Sequence, residues 1–347
     1  MDKKIMHLLC SNSYSGAENV VCQIIRMFKY EVDYEMVYCS PDGDIADTLW
    51  DKGINFCPLK AMSIPQVANA IAKEKPDIIH AHDMRASFIA ALVCKNIPLV
   101  SHIHNNSFES RGLSFKSLLY FFAACKAGRI IWVSKAANEG YRFYKYFLGK
   151  SVVLYNTIDI DALKKQAYAD EQSYNYDIVY LGRFTYPKNP ERLIRILENV
   201  IAQRPETKAA LIGTGELEEK VKALAAEKNL CGNIDFLGFR SNPYKILENS
   251  KLMLMSSRWE GMPMCVLEAM SLGVPIVSTP TDGLAEIIEN GVDGYLGSSD
   301  KELGRLCLEI LNNKALRETL SKAASQKMRT IMDTGSYKAA LKSIYTF

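Results

Sequence analysis

The stretch SSRWEGMPMCVLEAMSLGVPIVS, residues 256–278, decides how its surroundings are read. It follows the apolar run KLMLM and closes on PIVS, so it reads as the end of one buried strand, a loop, a helix and the next strand. Arg258, Trp259 and Glu260 fall on the loop. Pro263 suits the first turn of a helix, where a missing N–H costs nothing. MCVLEAMSL is the helix body, and Gly273 is its C-terminal stop. Two acids interrupt this apolar run, Glu260 at the helix mouth and Glu268 inside the helix, with seven residues between them. Both can accept hydrogen bonds from hydroxyl groups, and the free N–H groups of the same helix start can hold a phosphate.

The same alternation runs outward in both directions. IMHLLCS, YEMVYCS, DIIHAH, PLVSHIH, RIIWVS and SVVLYN precede it, and DIVYLGR, KAALIGTG, IDFLGF, PIVSTP and GYLG belong to the same half as the opening stretch. Short β-rich runs separated by helical segments predict parallel, doubly wound sheets. The polar, weakly periodic stretch 155–177 reads as a linker, which gives two α/β domains, 1–157 and 158–331. The tail after Lys301 reads as helical throughout.

The bulk properties agree with this reading. The chain has 347 residues, too many for one ordinary core, with 48% hydrophobic and 23% charged residues, the balance of a soluble globular protein. A net charge of +3 implies no nucleic-acid partner. The nine cysteines have no paired spacing and read as buried thiols of a reducing compartment. The N-terminal apolar run is too short for a signal peptide, and no run is long enough to span a bilayer. The expected location is the cytoplasm, with peripheral contact on the inner face of the membrane left open.

Ligands of open parallel sheets sit outside the carboxyl ends of the strands. In the second half those positions include Arg183, Gly213 to Glu216, Gly238 to Ser241, Arg258 to Pro263, and Thr281 to Gly283. In the first half they are Ser13 to Gly16, His82 and Asp83, His104 to Asn106, and Ser134. YLGRFTYPKNPERLI places Arg183 at a strand end and Lys188 in the next loop, two cations suited to a diphosphate. Two hydroxyl-binding acids and two phosphate-binding cations at one sheet edge match a nucleotide diphosphate-sugar.

These residues carry a resemblance. The spacing from Glu260 to Glu268 resembles the E-x7-E signature of retaining glycosyltransferases of the GT-B fold, especially glycosyltransferase family 4. GRFTYPKNPERLI and TPTDGLAEIIENGVDGYL resemble two further elements of that family, and the resemblance covers nearly the whole chain. It implies two Rossmann-like domains facing across a cleft, with a C-terminal helix (332–347) crossing back to the N-terminal domain. It implies a retaining, metal-independent hexosyl transfer, with Arg183 and Lys188 on the diphosphate, Glu268 on the ribose and Glu260 on the donor sugar. The nucleobase would lie near Gly238 and Arg240, and Gly261, Met262, Pro263 and Met264 would complete the donor site. Where relatives read E-G-F-G, this chain reads EGMP, and Pro263 removes one backbone donor.

In the first domain, SNSYSGAENVV resembles the family's G-G-A-E loop with only Gly16 kept, a residue that lets the backbone approach the donor or acceptor. PLVSHIHNNS matches the family's strand-end histidine, so the resemblance implies that His104 lines the site beside the donor sugar. Four of the five histidines form two pairs, His80/His82 and His102/His104. His82 and His104 can meet from neighbouring strands, but no cysteine or glutamate has helpful spacing, so neither metal nor cofactor is expected. GTGELEE (213–219) lacks the third glycine of a dinucleotide fingerprint.

The stretches 114–129 and 141–150 mix aromatic with basic residues, and each reads either as a core-facing helix or as a face for an anionic membrane. The expected partners are a nucleotide diphosphate-sugar and a saccharide or lipid-linked saccharide acceptor, in bacterial surface polysaccharide or glycolipid synthesis. The alternatives are a nucleotide-sugar epimerase on the same architecture and a non-catalytic sugar-nucleotide-binding subunit.

Overall fold

The computed structural model describes residues 3–105 and 108–346, so Asn106 of the strand-end set lies outside the described residues. The chain divides into two compact units, Met1–Asn156 with Thr334–Phe347, and Thr157–Asp333.

The first unit holds seven parallel strands: β1 (Lys3–Leu8), β2 (Tyr34–Pro41), β3 (Phe56–Leu59), β4 (Ile78–His82), β5 (Leu99–Ile103), β6 (Arg129–Trp132) and β7 (Ser151–Val153). Their order is β3-β2-β1-β4-β5-β6-β7. All five residues of β4 and of β5 are buried, which is why they read as near-continuous apolar runs. The helix Gly16–Phe28 buries Val20, Val21, Ile24, Ile25 and Phe28, one stripe of an amphipathic helix laid on the sheet. The last helix, Thr334–Ile344, joins this unit. Tyr345 just beyond it is buried, and its hydroxyl meets His80 Nδ1 at 2.7 Å. Glu31 ties down Lys338 at 2.6 Å and also pairs with Lys342.

The second unit holds six parallel strands: β8 (Tyr176–Leu181), β9 (Ala209–Ile212), β10 (Ile234–Gly238), β11 (Ser250–Met255), β12 (Ile276–Ser278) and β13 (Gly294–Leu296). Their order, β10-β9-β8-β11-β12-β13, reverses between β8 and β11. That reversal leaves a crevice at the strand ends where neither neighbouring connection covers the sheet, the usual ligand position of this topology. In the first unit the corresponding reversal lies between β1 and β4.

The stretch 155–177 is not a bare linker. It contains the helix Ile160–Tyr168, capped by Asp159 Oδ1 on the Ala162 N–H at 2.9 Å, with Leu163 and Ala167 buried. Few apolar residues on a short helix give a weak period. Among the described residues, no helix is long and apolar enough to cross a membrane.

Candidate functional site

The crevice of the second unit gathers the second-domain cations and acids. Arg183 follows β8 and is exposed. Lys188 ends the short 3-10 turn Tyr186–Lys188, and its ammonium meets Glu260 Oε1 at 2.6 Å. The Ser257 hydroxyl donates to the same oxygen at 2.6 Å. Both ion-pair side chains are largely enclosed, 17% exposed for Lys188 and 7% for Glu260. Burial works against the charge on Lys188, but the Glu260 carboxylate more than offsets it and holds the ammonium above its usual range; the Arg183 charge pushes weakly the other way. Arg183, Lys188 and Glu260 therefore share one electrostatic neighbourhood.

Backbone contacts hold this loop in place. The Arg258 N–H donates to the Pro187 carbonyl at 2.7 Å, and Ser256 Oγ donates to the Asn189 carbonyl at 3.0 Å. The Arg258 guanidinium lies over the Tyr186 ring at 4.3 Å and bonds Asn189 Oδ1 at 3.0 Å. Two glycines permit close approach. A Cβ on Gly213 (φ +135°) would stand 2.1 Å from the Gly182 carbonyl oxygen, so the segment read as an incomplete dinucleotide fingerprint instead packs against the loop carrying Arg183. A Cβ on Gly283 would stand 1.5 Å from the Gly261 carbonyl oxygen, so the turn after β12 seats against the loop carrying Glu260.

Pro263 stands at the N-cap of the helix Met264–Ser271, and the first turn carries no acid. Val266 and Leu267 direct their N–H groups to the Pro263 carbonyl, and the N–H groups of Met264 and Cys265 face the helix start. Met262 and Met264 are buried. Glu268 is buried in the same helix and accepts from the Tyr244 hydroxyl at 3.2 Å. Tyr244 opens the short helix after the Gly238–Ser241 loop, so that loop is tied to Glu268. Gly238 (φ +65°) accepts from the Gly213 N–H at 2.8 Å. Arg240 is exposed, and its charge reaches Tyr174 and Tyr176.

Three participants escaped the sequence reading: Ser257, Tyr244 and Cys265. The Cys265 thiol feels Lys188, Glu260 and Glu268 together, and burial pushes it up to about 12, which removes it as a nucleophile near neutrality. Ser257 was visible in the opening stretch, three residues from Glu260. Tyr244 lies 24 residues from its partner and had no local signal.

In the first unit, Gly16 opens its helix behind Ser15, whose hydroxyl donates to Glu18. His104 follows β5 and is buried; its Nε2 meets His82 Nδ1 at 2.8 Å, and its N–H donates to Asp83 Oδ1 at 2.9 Å. Burial lowers the His104 imidazole to about 3, so it is a neutral hydrogen-bonding group at physiological pH. All five histidines, His7 included, stand together on β1, on β4, and on β5 and its end.

The aromatic stretch 141–150 mostly packs inward. Tyr141 and Phe147 are buried, the Tyr141 hydroxyl donates to the Ser117 carbonyl at 2.9 Å, and Lys150 donates to the Ala127 carbonyl at 2.8 Å. Tyr146 and Leu148 remain exposed there with Arg142 and Lys145. The larger exposed apolar set is next to it: Phe115, Leu118 and Phe122 form one stripe of the helix Phe115–Lys126, with Phe108 and Leu113 before it.

Two doubly wound α/β units, one with paired cations and acids at its strand-order reversal, have the architecture of the GT-B class. Residues 14–162 match the family described as Glycosyltransferase Family 4, and residues 161–327 match Glycosyl transferases group 1. The chain belongs to this family of glycosyltransferases. It is 24% identical over 369 aligned residues to the capsular polysaccharide biosynthesis glycosyltransferase CapH of Staphylococcus aureus, covering 99% of this chain and 98% of CapH. It is 26% identical over 324 residues to the Escherichia coli UDP-Gal:alpha-D-GlcNAc-diphosphoundecaprenol alpha-1,3-galactosyltransferase, covering 84% and 83% of the two chains. The structure matches that of Anabaena Alr3699/HepE in complex with UDP and glucose, with a TM-score of 0.83 at 20% identity over 98% of each chain, a likeness of fold.

Proposed function

We propose that this glycosyltransferase moves a hexosyl group from a UDP-linked donor to an acceptor hydroxyl, with retention at the anomeric carbon, in bacterial surface polysaccharide or glycolipid synthesis. The observation that carries the reading is the Lys188–Glu260 pair beside Arg183 at the strand-order reversal. The relatives named above support the donor and the acceptor class, since one acts on a diphosphoundecaprenol-linked sugar.

In this reading Arg183, Lys188 and the N–H groups at the start of helix Met264–Ser271 receive the diphosphate. The bond from the anomeric carbon to the diphosphate breaks as the bond to the acceptor oxygen forms on the same face. The acceptor proton passes to the departing phosphate oxygen. The two cations and the helix start stabilise the charge that grows there, so the transfer requires no divalent ion. Glu260 is pre-oriented by Lys188 and Ser257 to take a sugar hydroxyl, and Glu268, held by Tyr244, takes the ribose. Gly261 to Met264 and the loop bearing Gly238 and Arg240 complete the donor site. Gly16 and neutral His104 of the first unit are assigned to acceptor binding.

A peripheral membrane contact fits the exposed stripe Phe115, Leu118 and Phe122, with Lys116 and Lys126 on the same helix. Apolar side chains can enter the interface, while each cation contributes about 1 kcal/mol at an anionic leaflet.

Calorimetry with UDP alone tests the donor assignment. Glu268→Ala weakens UDP, whereas Glu260→Gln spares UDP affinity and lowers turnover. The reverse pattern exchanges the two roles, and no UDP binding by the wild type overturns the donor.

A further inference from the structure

The histidines of the first unit form a cluster that the transfer reaction does not use in full. His7 on β1, His80 and His82 on β4, and His102 and His104 on and after β5 stack as neighbouring rings, with centroids 4.2 Å apart for His102 and His104 and 4.4 Å apart for His80 and His82. The parallel register sets His7 against His80 and His82 against His102. All five are buried. A hydrogen-bonded ladder accounts for part of this: His80 Nε2 meets His102 Nδ1 at 3.2 Å, and His7 Nδ1 meets His82 Nε2 at 3.0 Å. It leaves His102 Nε2, His104 Nδ1 and His7 Nε2 buried without a hydrogen-bond partner. Such an orphan costs about 1–3 kcal/mol unless something satisfies it, and of the three it is His102 Nε2 that an ion beside His82 and His104 would satisfy.

We propose that His82, His102 and His104 form a binding site for a borderline divalent ion of the Zn2+ class. One ring nitrogen from each of the three lies within 4.8 Å of the others. The surrounding bonds select the ligand atoms. His102 Nδ1 is held by His80, which leaves Nε2 for the ion, and His80 is backed in turn by the Tyr345 hydroxyl. His82 keeps its Nε2 bond to His7 and turns Nδ1 to the ion. His104 offers Nε2, and its backbone is fixed by Asp83. Each of His82 and His102 thus has a ring N–H anchored outside the site, the arrangement that orients imidazole ligands. Tetrahedral Zn–N bonds of 2.0–2.1 Å place ligand nitrogens about 3.3 Å apart, so the 2.8 Å His82–His104 contact opens by about 0.5 Å.

Two further observations choose this triad over the deeper His7/His80/His82 set. Both nitrogens of His80 are already engaged, whereas His104 is the least buried of the five and leaves the ion an entry. Burial also keeps the imidazoles neutral, the form that binds metal. The site belongs to one unit and is independent of the donor reading. It needs no role in the transfer, although an ion there would occupy His104.

The test is equilibrium dialysis of the untagged, chelator-stripped full chain against Zn2+, with the visible spectrum of the Co2+ form as a second readout. The expected result is one ion per chain and the intense absorption of tetrahedral cobalt. His104→Gln and His102→Gln abolish that ion, and His7→Gln, which removes only an outer partner, weakens it by about 10–100-fold. Melting temperatures in chelator confirm that each variant folds. Cys125 and Cys231 are exposed thiols able to take Zn2+ nonspecifically, so the histidine variants carry the assignment. No stoichiometric ion and no tetrahedral cobalt spectrum in the wild type overturn the proposal. So does an ion that survives His104→Gln and His102→Gln.

Discussion

Replacing Lys188 by alanine acts on stability and on catalysis at once, and the two effects separate. The substitution leaves Glu260, a 7% exposed carboxylate, with the Ser257 hydroxyl as its remaining side-chain partner among the described residues. Removing one member of a buried pair costs about 3–5 kcal/mol, because the other charge stays desolvated. Lys188 is 17% exposed and Ser257 keeps its bond, which places the loss at the lower end, about 3 kcal/mol. For a unit of this size each kcal/mol lowers the melting temperature by about 2–4 °C, so Lys188→Ala melts about 6–12 °C lower. Lost charge stabilisation at the leaving diphosphate costs a further ~2.7–4 kcal/mol of transition-state binding, about a hundred- to a thousandfold in turnover. Adding Glu260→Gln removes the orphaned charge. The double variant therefore regains most of the melting temperature and none of the turnover. Differential scanning fluorimetry alongside a donor-turnover assay reads both quantities. A melting temperature for Lys188→Ala equal to wild type, or a double variant no more stable than the single one, refutes the coupling described here.

Acid should unfold the first unit early. Burial lowers His7 and His104 from 6.5 to about 3, so as pH falls below 6.5 the unfolded chain takes up protons that the folded chain refuses, and stability drops until about pH 3. Near pH 4.5 those two groups alone remove about 5 kcal/mol, and the other three histidines add to it. A denaturation midpoint unchanged between neutral pH and that point contradicts this. Glycosyl transfer should persist in excess chelator; complete loss restored by a divalent ion removes the metal-independent mechanism. Binding to anionic vesicles should fall when Phe115, Leu118 and Phe122 are replaced by serine, and should be salt-sensitive, as co-sedimentation can show. Equal and negligible sedimentation with anionic and neutral vesicles eliminates the membrane contact.

Most strands are short apolar runs set off by turn residues and helical segments, and so twelve of the thirteen were legible. The exception, β3, has four residues, one of them Pro58, and lies on the sheet edge. Glu260, Glu268, Arg183 and Lys188 were legible because strand ends and helix starts mark ligand positions in this topology. What connects them was not. Tyr244 reaches Glu268 from another helix, and Cys265 enters through a packing detail of the first helical turn. His7 looked like a lone histidine in an apolar strand; only the strand order β2-β1-β4-β5 brings it against His80 and His82. The stretch 141–150 left two readings open because a mixture of aromatic and basic residues does not say which aromatics face inward, and Tyr141 and Phe147 do. On the helix Phe115–Lys126, three apolar residues face out, against the ordinary expectation for an amphipathic helix.

The central claim is that protein cations at the reversal of the second sheet carry the departing nucleotide diphosphate. Arg183 offers the most direct test, because it is exposed and its replacement is expected to cost little stability. The measurement is release of UDP from UDP-hexoses, to water or to an added acceptor, by the wild type and by Arg183→Ala at matched melting temperature. The account predicts a fall in kcat/KM of about a hundredfold or more. Equal UDP release by the two proteins contradicts it.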